Sequence, residues 1–186
     1  MHSLTGQLLI AMPQMLDDFF SRSVVYLCAH GPEDGAMGLI VNKPLAAPTI
    51  DELYAHLKIE PPPGSHSPQT IGFGGPVGTD RSFVLHSTDY GDEGTLRIDS
   101  SFAMTATLDI LRALGKGNGP DHWLVTVGYA GWGPGQLEDE IRANGWLLVA
   151  PDMPLVFDAD NHSKWQRALA KIGVSPESLS ANSGRA

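Results

Sequence analysis

Apolar residues occur along the chain in short runs, broken every few positions by Gly, Pro, Asp or Asn. Gly6 to Met12 is such a run, ended by Pro13. Ser23 to Ala29 is rich in β-branched and aromatic residues and is the clearest strand. Ala36 to Asn42 follows across the turn-like stretch Gly31 to Gly35, so the two strands are expected to pair antiparallel. Thr49 then opens a helix. Thr49-x-x-Glu52 has capping-box spacing, and Ile50, Leu53 and Leu57 share one helical face. Glu60 to Gln69, with four prolines, reads as a surface loop.

The second half continues in short elements. Ser82 to His86 and Thr95 to Ile98 read as strands. Phe102 to Leu114 reads as a helix with Met104, Leu108 and Leu111 on a shared face, stopped by the glycines from Gly115 to Gly119. Trp123 to Tyr129 is expected as a strand, Pro134 to Ala143 as a short helix, and Trp146 to Ala150 as a strand. His162 to Ile172 should be a helix burying Trp165, Leu169 and Ile172, with Lys164, Arg167 and Lys171 on a solvated face. Ser175-Pro176-Glu177 is a helix start, and residues 181–186 should fray. Hairpin-like pairs followed by mixed elements, without regular βαβ alternation, predict an α+β chain.

Composition narrows this little. The 186 residues fit one domain, expected to span 1–186, and no repeat or composition break divides them. Folding would bury about 70% of the surface of a chain this long. The formal net charge is −9, which opposes broad contact with phosphate backbones or anionic lipid. Cys28 is the single cysteine, so neither an intramolecular disulfide nor a cysteine cage for zinc can form. The first basic residue is Arg22, and no apolar run approaches the roughly 20 residues of a membrane span. A cytoplasmic protein without membrane contact is expected.

None of the glycine-rich stretches fits a nucleotide loop. Gly72 to Gly78 fails the G-x-G-x-x-G pattern, because Val77 occupies its last position and no helix pattern follows. Gly115 to Pro120 ends a helix instead of opening one. Gly128 to Gln136 lacks the Lys-Ser/Thr of a P-loop, and Glu138, Asp139 and Glu140 in the next helical turn would repel phosphate. These stretches read as tight turns, the last carrying Tyr129 and Trp132. Cys28 and His30 would share one strand face, giving a candidate nucleophilic pair beside the simpler reading of a core cysteine. His86, at a strand end near Arg81, is a second candidate reactive group. Asp158 to Asn161 starts like a calcium loop, but Ser163 and Leu169 occupy positions that require Gly and Glu, so no metal site is expected there.

Several blocks occur together in order. Leu4 to Pro13 leads into Phe19 to Tyr26. Then follow Gly35 to Pro44, Gly74-Gly75-Pro76-Val77, Phe83 to His86, and Gly128 to Glu138. This series resembles the YqgE/AlgH family of bacterial cytoplasmic proteins over about Leu4 to Leu148. The sequence departs from the family pattern at Asp17-Asp18-Phe19, where Asp-Pro usually precedes the Phe. It departs again at Ala29-His30, where an acidic residue often precedes the histidine. The resemblance implies an α+β fold with a bifurcated, partly barrel-like mixed β-sheet surrounded by helices. It implies no agreed activity, since some members are described as transcriptional regulators and others as uncharacterised.

No basic recognition helix is evident, so direct nucleic-acid binding is not expected and any regulation should be indirect. The leading expectation is a binding or regulatory protein acting through a protein partner or a small anionic ligand, with no cofactor. The expected site gathers Asn42, Lys43, Gly74, Gly75, Pro76, Arg81, His86, Tyr129, Trp132, Gln136 and Glu138. Lys43 and Arg81 would hold the anion, Trp132 would give a stacking surface, and Gln136 and Glu138 would fix orientation. No catalytic residue is assigned. The alternative is an enzyme of unknown reaction using His86 or the Cys28–His30 pair. Trp132, between two glycines, is expected at a loop edge, partly exposed, bordering a pocket with Arg81 or His86.

Overall fold

The computed structural model describes residues 3–65 and 69–182. In chain order the first half contains β1 (Leu8–Ala11), β2 (Val24–Gly31), β3 (Gly35–Ile40), β4 (Pro44–Thr49), α1 (Ile50–His56) and β5 (Thr70–Phe73). The second half contains β6 (Val77–Ser87), β7 (Thr95–Arg97), β8 (Phe102–Thr105), α2 (Leu108–Gly115), β9 (Trp123–Trp132), α3 (Gln136–Arg142), β10 (Trp146–Val149), α4 (Met153–Phe157), α5 (Lys164–Lys171) and α6 (Pro176–Asn182).

One curled sheet runs β10-β1-β2-β3-β9-β6-β8-β7, antiparallel at every step. The long strand β9 makes it fork. Along one edge β9 pairs with β6. Along the other, Ala130 to Trp132 pair with β3, whereas Thr126 and Val127 pair in parallel with β5. The fold is therefore α+β with a bifurcated, half-barrel mixed sheet and, among the described residues, six helices.

Period-two alternation explains why both sheet faces are covered. Leu8 and Ile10 of β1 enter one core cluster with Tyr26, Phe83 and Met104, sealed by Leu155, Val156, Trp165 and Leu169 of α4 and α5. Leu9 and Ala11 point the other way, joining Trp132 and Trp146 beneath Leu137 of α3. A third cluster packs Val84 and Val125 against α1 and α2 through Ile50, Tyr54, Ile110 and Leu111. The capping box forms as the spacing predicts: Glu52 N–H donates to Thr49 Oγ1 at 3.2 Å, and Thr49 N–H to Glu52 Oε2 at 2.7 Å.

Four expectations are corrected. Phe102 to Thr105 is a strand, because all four residues are buried and pair with β6 and β7; the helix starts only at Leu108, which is exposed. Ile172, expected to be buried with Trp165 and Leu169, is 41% exposed just beyond the end of α5. Lys164 is fully buried instead of solvated. Its Nζ donates to Val41 O at 3.1 Å and Val156 O at 2.8 Å, and burial lowers its pKa to about 8. Arg167 forks onto Asp158, and Lys171 pairs with Asp152. The C-terminal boundary also moves: helix α6 continues through Asn182, and the rest of the expected tail, 183–186, lies outside the described residues. No described helix is long and apolar enough to cross a membrane.

Candidate functional site

The open end of the half-barrel is a groove of about 900 Å³. Its apolar lining includes Met37 of β3, Phe83 of β6, Met104 of β8 and Tyr129 of β9. Two guanidinium groups reach it, Arg81 from β6 and Arg97 from β7. Both residues are exposed, and neither has a carboxylate partner among the described residues. Arg81 instead lies 5.2 Å from the centroid of the Phe83 ring, a cation–π contact that leaves its N–H donors available.

Local backbone explains how Arg81 gets there. Val77 pairs with Tyr129, but the next pair is Ser82 with Val127, so Gly78 to Arg81 form a bulge opposite Gly128. This crossing needs glycine. Gly75 has φ 153°, and a Cβ there would lie 2.1 Å from the Tyr129 carbonyl carbon. One on Gly128 (φ 70°) would lie 2.2 Å from Gly75 O. Gly74-Gly75-Pro76 is thus a close backbone crossing behind Tyr129 instead of the expected tight turn, because its close neighbours are strands β3 and β9.

Only part of the expected site comes together. Arg81, Tyr129 and Trp132 line the groove. Asn42 and Lys43 lie in a separate small depression with His162 and Gln166. Asn42 is occupied there, its Oδ1 accepting from Val24 N–H at 2.8 Å and its Nδ2 donating to Arg22 O at 2.9 Å. Desolvation lowers the Lys43 pKa, partly opposed by Asp17.

His86 is fully buried outside the groove. Its Nδ1–H donates to Ser87 O at 2.7 Å, and Nε2 accepts from Thr105 Oγ1 at 2.8 Å. Thr95 extends this chain to Thr105, and burial pulls the histidine pKa down. It is an internal tie between β6 and β8.

Trp132 borders the groove, but it is 6% exposed, contrary to the expected loop edge. β9 continues through it, and its ring stands edge-on to Trp146 at 5.9 Å. Glu140 Oε2 accepts from both indoles, at 2.9 Å from Trp132 and 2.8 Å from Trp146. Gln136 donates to Glu140 Oε1 at 2.9 Å and accepts from Gly133 N–H at 3.0 Å. Gln136 thus supports the tryptophan cluster.

Glu138 pairs with His30, their side chains 9% and 2% exposed. Leu4 N–H donates to His30 Nδ1 at 3.0 Å, so Nε2 carries the proton toward Glu138 Oε1 at 2.9 Å. The acidic partner absent at Ala29 is thus supplied from α3. The Glu138 backbone N–H at the helix start and His30 hold that carboxyl below its usual range. Cys28 is 1% exposed, and desolvation pushes its thiol up to about 12. A thiol that stays protonated near neutral pH is not an activated nucleophile.

Sequence reasoning missed Arg97, because nothing local brings β7 alongside β6. It also missed Met37, Phe83 and Met104, whose shared lining of the groove comes from sheet curvature. Among the described residues, no three His, Cys, Asp or Glu side chains gather as a metal set.

The sequence profile described as AlgH-like (DUF179) matches residues 8–177. The chain belongs to this AlgH-like family. It is 50% identical to a UPF0301 protein of Methylocella silvestris, covering 98% of this chain and 92% of that protein. A UPF0301 protein of Rhodospirillum rubrum is 46% identical, with 98% and 94% covered. Among solved structures, the AlgH protein of Pseudomonas aeruginosa is 38% identical and superposes with a TM-score of 0.78, over 99% of this chain and 95% of that one. Protein DIP2367 of Corynebacterium diphtheriae has a TM-score of 0.72 at 22% identity, covering 92% and 87%, and shares the fold. The UPF0301 relatives and the Pseudomonas AlgH structure support the family, and both solved structures support the fold.

Proposed function

We propose that this AlgH-like chain is a cytoplasmic binding protein, regulatory through its partner, whose half-barrel groove takes an anionic group on an apolar body. The observation that carries the reading is the presence of Arg81 and Arg97, both without carboxylate partners among the described residues, beside a floor of Met37, Phe83, Met104 and Tyr129. In a chain with 21 acidic and 12 basic residues, two unpaired guanidiniums beside one apolar surface are a specific anion site. Two positive groups do not make a nucleic-acid track, so regulation would pass through a protein or small ligand. Lys43 is not part of this site, and Trp132 acts as its wall instead of a stacking platform.

Anilinonaphthalene sulfonate has the required chemistry, an anion on an aromatic body. Its fluorescence should rise and saturate with native protein. Arg81→Ala and Arg97→Ala should each weaken binding about tenfold, as expected for loss of a charge-assisted hydrogen bond, whereas Lys43→Ala should leave it unchanged. Equal binding by all three variants would refute the assignment.

A further inference from the structure

The groove does not stop at Arg81. A second cavity of about 310 Å³ lies between α1, α2 and the β6 bulge, and Arg81 and Ala106 line both spaces. The far side is apolar, with Leu53 of α1, Leu57 just after it, and Leu108 and Leu111 of α2. Of the seven large hydrophobic residues exposed among the described residues, three line these two spaces: Val77 and Leu96 in the first, and Leu108 in the second. Apolar surface therefore continues on both sides of a saddle at Arg81, with the second arginine, Arg97, along the first space.

We propose that the occupant is an extended segment of a protein partner, with a carboxylate at its centre and apolar side chains on both sides. The inference rests on the anion site proposed above and names what fills it. The combined volume exceeds the roughly 300–1,000 Å³ of an ordinary small-ligand site. Its order, apolar then cationic then apolar, is complementary to a peptide whose alternate side chains drop into successive pockets. Charge sets the limit on the centre. Asp80 shares the second cavity with Arg81, and Asp34 lines the first, so a polyanion would meet two carboxylates where a single side-chain carboxylate need meet none. This favours an acidic side chain over a phosphate-rich strand.

The test uses full-length protein and a fluorescein-labelled library of nine-residue peptides. Glutamate is fixed at the centre and the flanking apolar positions are varied; a matched library carries glutamine. Anisotropy should find glutamate peptides binding at least about tenfold more tightly than their glutamine counterparts, and Arg81→Ala should erase that preference. Leu108→Ser, a change at an exposed site, should weaken the tightest peptides about fivefold or more. The same variant should leave binding of anilinonaphthalene sulfonate unchanged, because Leu108 lines only the second cavity. Absence of a glutamate preference, or Leu108→Ser without effect, overturns the proposal. Tighter binding of short duplex DNA or of phosphatidylglycerol vesicles than of any peptide also overturns it. If the sulfonate binds and the peptides do not, the anion site stands and the peptide falls; if neither binds, both fall.

Discussion

The groove and the tryptophan cluster behind it both combine aromatic rings with charged side chains, yet they are opposites in hydrogen bonding. In the cluster, Glu140 accepts from Trp132, Trp146 and Gln136, and the two rings pack edge to face under α3. Its principal donors are satisfied internally. In the groove, Arg81 lies over the Phe83 face, and neither Arg81 nor Arg97 has an ion-pair partner among the described residues. A buried aromatic with its N–H satisfied is architecture, since nothing is left to recognise a second molecule. An unpaired guanidinium over an apolar floor retains donors for an incoming anion.

The sharpest way to break this comparison is to truncate the cluster. Trp132→Ala removes a ring that is 6% exposed and leaves the indole N–H of Trp146 sharing Glu140 with Gln136 alone. Its stability loss should be about 3–5 kcal/mol in denaturant unfolding, the range for truncating a buried large aromatic. A loss below about 1 kcal/mol would mean that Trp132 is a surface group, and the division between the two regions would collapse.

Trp132 also shows where sequence legibility ends. Its flanking glycines mark a loop edge when read locally, but Ala36, Met37 and Gly38 pair with Trp132, Gly131 and Ala130, so the strand extends through all three. Propensity cannot see a partner almost a hundred residues away. The same holds for Phe102 to Thr105, whose helix-like spacing is overridden by pairing with β6 on one edge and β7 on the other. Local signals with local causes survived: the Thr49–Glu52 box and the β2–β3 hairpin. For the site, Tyr129 was legible as an aromatic group on a glycine-rich stretch and Arg81 as a basic group near a strand-end histidine, although His86 itself is buried away from the groove. Arg97 was not, because only sheet curvature brings β7 to the groove.

The comparison sharpens further in the pH dependence of stability. Cys28 belongs to the core cluster that underlies the groove, and its thiol is raised from an ordinary value of 9.0 to about 12. The sign follows from linkage. Between these values the unfolded chain loses a proton that the folded chain keeps, so stability falls as pH rises. The contribution is fully present below pH 9.0 and is lost progressively up to about 12. Within this window one such group gives a slope of about −1.4 kcal/mol per pH unit. Tyr26 and Tyr54 are raised by burial as well and add to the fall at higher pH. Lys164, lowered to about 8, works against it, because its folded form sheds a proton first. Lys164 offsets the Cys28 slope up to its ordinary value of 10.5, so Cys28→Ala should make stability rise more, or fall less, with each pH unit above 9.0, read from urea midpoints at successive pH values. An unchanged slope would show that the thiol already meets solvent.

The smallest stability effect should come from the groove itself. Arg97 is exposed, and no hydrogen bond or ion pair to its guanidinium is present among the described residues. Replacing it with alanine removes no native contact of consequence, so the unfolding free energy should change by no more than about 0.5 kcal/mol, as for an ordinary surface position. The net charge moves from −9 to −10, a minor perturbation at physiological ionic strength, where exposed charges are screened beyond about 8 Å. Binding should nevertheless lose ionic-strength dependence. Titrations of anilinonaphthalene sulfonate at low and high salt should diverge less for Arg97→Ala than for wild type, because one of the two attractive charges is gone. A variant with wild-type stability and reduced salt sensitivity separates recognition from architecture at a single residue. A variant destabilised by more than about 1 kcal/mol would place Arg97 with the structural ties, alongside Glu140, and leave Arg81 as the groove's single anion-binding group.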